Sequence, residues 1–468
     1  MTNSIYRFRS IDKVLSSEDL GNPKNTEGYD ELRKQQIYLS SLENLNDPME
    51  GYKEVYWKGD KIAWKNLIKH YLLCLEHVIM RVLIGGDEYN LSAKDIPILK
   101  KYSDFPTQQY RENFNLICDQ LFSNQTISQY PQILSQRPLI RKNELLHYLN
   151  GLHIHAIASI NKIYHKNGFL PEDHKPLNLD PHKHLFNENY FNNLSRAEQE
   201  HKDHNIAEMA SSIAMEIQEE FRLILQYNNR HTAGKNQNFL ADFPNIYLKQ
   251  IEQLLYPDCY IACFSDSYRN SSMWSHYAGN HEGICFQFKT NDQKHFNVLK
   301  HKGLKSPYAL HPLKYKKNHP ELNFFESLGR LPIPHLREVW FTGENNEQSD
   351  CAKFLNPANE EKWRQEYWEK YYDFLNTKTT DWTYENEYRL IRYSTIGDNV
   401  QLANYDFNDL EGIIFGINTK TEHKIKIMEI IEEKCEKTLR KDFKFYQAAY
   451  CRDKGEIKKR ELTFLKLS

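Results

Sequence analysis

Two short apolar runs, joined by a connection rich in aromatic residues, lie just past the middle of the chain. The runs at 260–264 and 283–288 are rich in β-branched and aromatic residues, a composition that favours strands. The connection carries Met, Trp, His and Tyr within 273–277, where an ordinary surface loop would carry Gly, Pro, Ser and Asp. Either the connection lines a binding site, or Trp274 and Tyr277 anchor a short amphipathic helix in the core. Composition alone favours the helix.

Long stretches with helical periodicity lie upstream of these runs. Apolar residues recur every three or four positions over 61–84, 145–164 and 206–225, which predicts helices with wide buried stripes. A shorter stretch with Trp and Tyr at helical spacing lies downstream, within 316–376. We interpret both regions as insertions into a core that contains the strands.

Further strand-type runs lie near both ends of the chain. They occupy residues 6–9, 36–41, 412–417, 443–446 and 462–467, and a helix is predicted at 421–437. This distribution predicts an α+β fold with a small mixed or antiparallel sheet core, interrupted by a large helical insertion and a smaller one. The predicted core comprises residues 1–55, 251–315 and 377–468, and the insertions comprise residues 56–250 and 316–376.

Charge balance and residue spacing argue against several classes of protein. With 61 basic and 63 acidic side chains the net charge is -2, so the chain as a whole does not attract nucleic acid or an anionic membrane, and only a local basic patch could do so. The first residues lack the apolar segment of a signal peptide, and no run approaches the roughly 18 to 20 apolar residues of a membrane span. The eight cysteines form no CxxC pair and the histidines show no HEXXH spacing, so we expect neither disulfides nor zinc. The sequence predicts a cytoplasmic protein with no membrane partner.

Four short strings together resemble a bacterial family known as domain of unknown function 2971. They are YRFR from Tyr6, NDPMEG from Asn46, MWSHYAGNHEGICFQF from Met273 and WTYENEYRLI from Trp382. The resemblance implies a bacterial protein, often encoded among mobile or phage-defence genes, and no established activity. Function must therefore be argued from the residues.

The last of these strings places two carboxylates beside an arginine. In extended backbone Glu385 and Glu387 point to the same face, roughly 6.6–6.8 Å apart along the strand, and Arg389 continues that face. Such a group forms either a structural ion network or a catalytic site. In a catalytic site one carboxylate stabilises a developing oxocarbenium ion while the other orients the attacking group.

The order of these elements is similar to that of ADP-ribosyltransferases, which bind NAD in a cleft between two small sheets. By this resemblance Arg7 would clamp the NAD phosphates or ribose. Ser40 or Ser41 would support the nicotinamide ribose, Tyr277 would stack on nicotinamide, and Glu387 would be the catalytic carboxylate. NAD is then a substrate, and no metal is expected.

Other residues complete the predicted site. Glu385 would orient the acceptor, and His276 is a further catalytic candidate. Trp274, Asn46, Asp47 and Arg389 are candidates for binding the substrate. The NDP string is also ordinary turn chemistry, which makes Asp47 a turn or cap residue in the simpler interpretation. The acceptor, protein or nucleic acid, is not identified by the sequence.

Two other functions are consistent with the same residues. A metal-dependent nuclease or phosphodiesterase would gather hard oxygen and imidazole ligands around Mg²⁺ or Mn²⁺. Its candidate ligands are Asp47, Glu50, His276, His281, Glu385 and Glu387. A non-catalytic sensor would use the same pocket for a ligand. In that case the helical insertion would contact a defence-system partner or a second copy of the chain.

Overall fold

A computed structural model describes residues 4–20, 29–47, 49–86, 89–170, 188–201, 205–228, 235–290, 294–300, 303–393 and 401–463. The chain divides into two compact units. Unit 1 consists of Met1–Tyr52, Asp258–Pro320 and Tyr372–Ser468, and unit 2 consists of Lys53–Pro257 and Glu321–Tyr371. The two segments that interrupt unit 1 thus belong to one and the same compact unit.

Strands are present in both units. They are β1 (Ser4–Arg9), β2 (Gln36–Tyr38), β3 (Ser40–Ser41), β4 (Glu54–Trp57), β5 (Ile140–Arg141), β6 (Cys259–Ser265), β7 (Ile284–Lys289), β8 (His295–Leu299), β9 (Lys305–Pro312), β10 (Lys314–Lys316), β11 (Glu321–Asn323), β12 (Thr377–Thr379), β13 (Glu387–Tyr393), β14 (Leu402–Asn404), β15 (Leu410–Phe415), β16 (Lys444–Cys451) and β17 (Glu456–Glu461). The combination of these strands with many helices confirms the predicted α+β class.

The α-helices vary widely in length, from single turns to 25 residues. They are α1 (Ile11–Val14), α2 (Glu31–Lys34), α3 (Lys61–Gly85), α4 (Gln108–Phe122), α5 (Gln125–Ser135), α6 (Lys142–Lys166), α7 (Glu188–His201), α8 (Ile206–Asn228), α9 (Lys235–Ala241), α10 (Phe243–Glu252), α11 (Ser271–Tyr277), α12 (Ile333–Leu336), α13 (Pro357–Leu375) and α14 (Thr421–Thr438). Within the described residues, none of these helices is long and apolar enough to cross a membrane.

Unit 1 is built on one large sheet. The strand order is β17-β16-β15-β7-β1-β6-β13-β9-β8-β14-β2, and β3 also pairs with β6. Most neighbours are antiparallel, whereas β15 and β16 run parallel. The central strands β7, β1, β6 and β13 come from three separate parts of the chain. Residues far apart in sequence therefore meet in the middle of this sheet.

Strand β1 shows that the two faces of this sheet carry different cores. Ile5 belongs to the larger apolar core, which includes Ile427 of α14. Phe8 belongs to a smaller apolar cluster, which includes Trp274 of α11. Because successive side chains of a strand alternate between faces, Arg7 points to the face of Ile5. We call the two sides the α14 face and the α11 face.

Unit 2 is mainly helical. Helix α3 packs against α5 and α6, and α6 also packs against α4, α8 and α10. A small sheet in the order β11-β4-β5 completes this unit. Helix α3 begins at an Asp60 cap, whose side chain accepts the Ala63 N–H, and buries most of its middle turns. The fully buried Trp64 and Tyr71 belong to this part of the core.

Two predicted elements differ from the structure. The predicted strand 36–41 is divided into β2 and β3, with Leu39 between them. The final strand was predicted at 462–467, but β17 spans Glu456–Glu461, and residues 464–468 lie outside the described part of the chain. Strand β17 contains one apolar residue, Ile457, among charged residues, so it lacks the apolar run on which the prediction relied.

Candidate functional site

Five charged side chains lie together at the start of β13 in unit 1. Glu50, Glu385 and Glu387 are carboxylates, whereas Lys378 and Arg389 are cations. Each of the five residues is at most 9% exposed. Charges removed from water are tolerated only when they are paired and hydrogen-bonded, so these side chains must satisfy one another. We call this group the carboxylate cluster.

The backbone before β13 is not extended, contrary to the prediction for Glu385. The segment Thr380–Glu385 forms a 3-10 helix, and Asn386 follows in the left-handed region with φ 44°. Strand β13 then begins at Glu387. Glu385 therefore reaches the cluster from the end of a helical turn, and only Glu387 and Arg389 share the face of a strand.

Lys378 is the centre of the cluster. Its Nζ lies 2.7 Å from Oε2 of Glu385, 3.1 Å from Oε1 of Glu50 and 3.6 Å from Oε2 of Glu387. The residue belongs to β12, which pairs in parallel with β10. One ammonium group thus contacts all three carboxylates and offsets the repulsion between them.

Arg389 closes the other side of the cluster. Its Nε donates to Oε1 of Glu387 at 2.8 Å, its Nη1 donates to the Leu375 carbonyl at 2.6 Å, and its Nη2 pairs with Glu50. The N–H of Glu387 donates to the Tyr315 hydroxyl at 3.0 Å. The planar guanidinium holds its partners in a fixed geometry, which a lysine at this position could not reproduce.

A tight turn delivers Glu50 to the cluster. Oδ1 of Asp47 accepts the Met49 N–H at 2.9 Å, and the Asp47 carbonyl accepts the Glu50 N–H at 2.9 Å. Asp47 is buried by this role in the turn, whereas Asn46 is exposed. The structure therefore places Asp47 as a turn residue next to the cluster rather than as one of its charged members.

The two glutamates of the string have opposite pKa shifts. Burial, followed by the nearby charge of Glu387, raises the pKa of Glu385 to about 7. Burial alone would also raise the pKa of Glu387, but Arg389 and Lys378 outweigh it and hold that pKa at about 2. With three carboxylates and two cations, the excess negative charge favours binding of a proton, and burial raises the pKa of Glu50 as well as that of Glu385.

A small cavity opens onto both glutamates from the α11 face. Its volume is about 40 Å³, which is room for a water-sized group. It is lined by Tyr6, Phe8, Cys263, Phe264, Ser265, Met273, Tyr277, Glu385 and Glu387. The hydroxyl of Tyr277 donates to Oε1 of Glu385 at 2.6 Å, and the hydroxyl of Ser265 donates to the Glu385 carbonyl at 2.8 Å. The predicted residues Tyr277, Glu385 and Glu387 are thus brought together.

Two other predicted side chains of α11, Trp274 and His276, lie outside the carboxylate cluster. Trp274 is fully buried, its indole N–H donates to the Tyr268 carbonyl at 2.8 Å, and its ring meets Phe8 edge-on at 5.1 Å. This is the anchoring role of the simpler interpretation. His276 is exposed, with its ring 6.2 Å from that of Trp382. Neither residue contributes to the charged cluster.

Arg7 lies on the other face of the sheet. Tyr6 and Glu387 both pair with Ser265, so their side chains share the α11 face and Arg7 points to the α14 face. Its Nη2 donates to the Tyr38 carbonyl at 2.7 Å and its Nη1 to the Cys263 carbonyl at 3.3 Å. The structure therefore does not bring Arg7 to Glu387.

The two candidate serines lie along β6. Ser40 pairs with Ile261 and Ser41 pairs with Tyr260, four and five residues before Ser265. The hydroxyl of Ser41 accepts from the side-chain amide of Asn44 at 3.0 Å. Glu387 pairs with Ser265, so each serine is at least four strand residues, on the order of 13 Å, from Glu387.

Lys378 was not predicted from the sequence, and Glu50 was named only as a metal ligand. Neither residue has a sequence spacing from Glu387 that would predict a contact, because their contacts depend on pairing between other segments of the chain. Of the ligands named for a nuclease, Glu50, Glu385 and Glu387 are close together, but Lys378 and Arg389 lie among them. In the part of the chain that the structure describes, no group of three His, Cys, Asp or Glu side chains is arranged to hold a metal ion.

Comparison with known proteins found one match. The sequence profile of the family described as "Protein of unknown function (DUF2971)" matches residues 273–390. This segment contains the predicted string from Met273 and most of the string from Trp382, and it supports the resemblance inferred from them. No curated protein and no solved structure matches the chain.

Proposed function

We propose that unit 1 cleaves an N-glycosidic bond, with NAD as the substrate, and transfers ADP-ribose to an acceptor or to water. The observation that supports this is the pair Glu385 and Glu387. The two carboxylates share one ammonium group and one cavity, yet their pKa values lie near 7 and near 2. Enzymes that break glycosidic bonds commonly use two carboxyl groups with different pKa values.

The chemistry assigns one role to each carboxylate. Glu387 keeps its charge at neutral pH and stabilises the oxocarbenium ion as the bond from the anomeric carbon to nicotinamide breaks, with the electron pair leaving on nicotinamide. Because the pKa of Glu385 lies near 7, part of this residue is deprotonated at neutral pH, and this ionised form takes the proton of the acceptor hydroxyl or water as the new bond to oxygen forms. Burial and the nearby Glu385 raise the pKa of the Tyr277 hydroxyl above its ordinary value of 10, so this hydroxyl keeps its proton, donates it to Glu385 in a hydrogen bond and orients that carboxylate.

Access to the pair requires movement. Glu385 is 1% exposed and Glu387 is 4% exposed, and a cavity of about 40 Å³ is too small for a nicotinamide ring. We place the required opening at α11 and at Thr380–Glu385, which carry Tyr277 and Glu385. The role as an effector of phage defence, which the family resemblance implies, belongs to the same proposal, and infection would supply the trigger for opening.

The burial of the cluster also favours a second candidate. Every charged group in it has a partner, and in this second candidate the cluster has a purely structural role, which is to hold β12, β13 and the turn that carries Glu50 together. Unit 1 would then be a ligand-binding module without turnover. The two candidates differ in what happens when the charge of Glu387 is removed.

The test is NAD consumption, and transfer of labelled ADP-ribose, by the natural protein and by Glu387→Gln. Both are assayed with and without extract from phage-infected bacteria. Glutamine keeps the shape of the side chain and removes the charge, so we expect turnover to fall at least about 100-fold. The control is Glu282→Gln, an exposed glutamate of the same unit, which should keep full activity.

Urea unfolding of each variant separates loss of activity from loss of fold. No NAD turnover by the natural protein under any condition would overturn the enzymatic proposal and leave the binding module. Turnover that survives in Glu387→Gln would remove the cluster from the reaction. Metal-dependent nicking of DNA by the natural protein, abolished by chelation, would instead favour the nuclease.

A further inference from the structure

A wide groove opens in unit 1 where β9 separates from β13. Strand β13 pairs with β9 only from Tyr388 to Leu390, after which its edge toward β9 is no longer part of the ladder. Strand β9 pairs instead with β8 along Lys305 to Ala309. The groove between the diverging strands has a volume of about 740 Å³, within the range of ligand sites.

The groove and the carboxylate cluster have different lining residues. The groove is reached at the C-terminal end of β13, at Ile391, Arg392 and Tyr393, whereas Glu387 lies at the N-terminal end of the strand. Four to six residues of extended strand, on the order of 13–20 Å, separate these residues from Glu387, and Arg389 of the cluster lies between them. The groove is therefore a separate site that the proposed reaction does not use.

The charged side chains that line this groove are all basic. Lys300 and Arg392 line it together with His311, and no carboxylate is among its lining residues. The groove is completed by Val298, Leu299, Pro307, Tyr308, Ala309, Tyr372, Ile391, Tyr393, Leu402 and Asn404.

Three described carboxylates of neighbouring segments have cation partners. Asp373 pairs with Lys314 and Lys316, and Asp406 and Asp409 both pair with Lys305. Among the described residues, neither Lys300 nor Arg392 lies within ion-pair distance of a carboxylate, and Nη1 of Arg392 donates to the Leu402 carbonyl at 2.7 Å. Within the described part of the chain, the charge of these two cations is therefore not balanced by a carboxylate.

Aromatic rings lie close to these cations. The cationic centres of Lys300 and Arg392 each lie 6.0 Å from the centroid of the Tyr308 ring. The Tyr372 ring stacks on His311 at 5.6 Å and meets the Tyr393 ring edge-on at 6.3 Å. Tyr372 is 37% exposed, so part of its ring surface faces outward.

We propose that this groove binds single-stranded nucleic acid. The cations Lys300 and Arg392 would contact phosphates, and the tyrosine rings would stack on successive bases, the combination that serves single strands in other proteins. A lipid headgroup or an acidic peptide would use the charge but not the rings. With a net charge of only -2 the chain has no general affinity for polyanions, so binding would depend on this local surface.

The test is fluorescence anisotropy with a labelled 12-nucleotide single strand, as DNA and as RNA, at about 50 mM salt. We expect saturable binding that weakens as salt rises, with a logarithmic slope of about -0.7 for each phosphate contacted. Lys300→Glu and Tyr308→Ala should each weaken binding about tenfold, in line with the loss of one phosphate contact or one stacked base. The control Lys441→Glu makes the same charge change at an exposed position outside the groove and should leave affinity within about twofold.

Several outcomes would overturn the proposal. They are an absence of saturable binding, an equal loss of affinity in Lys441→Glu, and equal binding of a duplex of the same length. Competition by a mononucleotide as effective as by the strand would also overturn it, since the site would then take a single nucleotide. Melting temperatures verify that each variant is folded. The NAD assay is a separate readout, because Lys300→Glu should leave any NAD turnover unchanged.

Discussion

At the scale of single residues, the protonation of Glu385 is the most consequential feature of the carboxylate cluster. Glu387 is bound by the guanidinium of Arg389 and has a lowered pKa, whereas the pKa values of Glu385 and Glu50 are raised by burial. The pKa of Glu385 rises from its ordinary value of 4.5 to about 7 because burial favours the neutral form. A carboxyl that holds its proton near neutral pH can both stabilise the fold and serve in proton transfer.

This shift predicts how stability depends on pH. The folded state binds the Glu385 proton between pH 4.5 and 7, where the unfolded chain has released it, so the contribution of this carboxyl to the free energy of unfolding falls as pH rises through this window. Between pH 5.5 and pH 8 the contribution amounts to about 2 kcal/mol. Glu385→Gln has no titratable group at this position, so its unfolding free energy should lack this contribution of about 2 kcal/mol to the pH dependence. The lowered pKa of Glu387 acts only below pH 4.5 and does not affect the comparison.

Urea unfolding at pH 5.5 and pH 8 measures this difference. The change in unfolding free energy from pH 5.5 to pH 8 should be the same in the natural protein and in the exposed-site control Glu282→Gln, and it should be more positive by about 2 kcal/mol in Glu385→Gln. Buried histidines such as His70 and His153, whose pKa values are lowered by burial, add an opposing pH dependence that is common to all three proteins. The same change in Glu385→Gln as in the natural protein would show that the carboxyl of Glu385 has its ordinary pKa in the folded state.

At the scale of elements, α8 shows what helical periodicity leaves open. Its apolar positions predict a helix, and the helix is present, but the stripe is not buried. Ile213 is 59% exposed, Ile217 50% and Phe221 63%, whereas Ala207 and Ser211 on the opposite side are buried. Helix α8 packs against α6, and Ser212, Met215 and Gln218 of α8 accept hydrogen bonds from Asn143 and Asn150 of α6. The partner that the sequence predicts for the helical insertion stays a prediction.

This exposure predicts that polar substitutions on α8 cost little stability. The double substitution of Ile213 and Ile217 by Gln should lower the free energy of unfolding by less than about 1 kcal/mol, because both side chains already contact water. Leu149→Ala on α6, at a position 2% exposed, should cost about 2–5 kcal/mol through the cavity that it leaves. Urea unfolding of the isolated chain compares the two, and a loss as large as that of Leu149→Ala would mean that the stripe is covered in solution.

At the scale of the whole molecule, the chain forms two compact units from five segments. Each unit has its own apolar core: Ile413 lies in the sheet core of unit 1, and Leu149 lies among the helices of unit 2. A unit with its own core can lose stability by itself. The alternation of the segments along the chain does not prevent this, because each unit is held by contacts within it.

Amide hydrogen exchange should reveal this independence. We expect Ile413→Ala, at a fully buried position, to speed exchange in the strands of unit 1 and to leave α3 and α6 protected. Leu149→Ala should do the reverse. The measurement is exchange followed by mass spectrometry on peptides from each unit. Faster exchange in both units from either substitution would indicate a single cooperative structure.

Much of the fold follows from local pattern. Apolar runs rich in β-branched and aromatic residues identify β6 and β7, spacing at three and four identifies α3, α6 and α8, and the mixture predicts the α+β class. The shared face of Glu387 and Arg389 follows from the two-residue period of a strand. These features depend only on neighbours in sequence, so they could be inferred without a structure.

The membership of the site was decided by tertiary structure. Whether Arg7 faces Glu387 depends on the register of β1, β6 and β13, since Tyr6 and Glu387 both pair with Ser265. Lys378 and Glu50 enter the cluster because β12 pairs with β10 and because a turn far upstream folds back onto β13. A sequence determines where strands form through local preferences, but the order and register of the strands come from burying their faces together, and that energy is shared across the whole sheet.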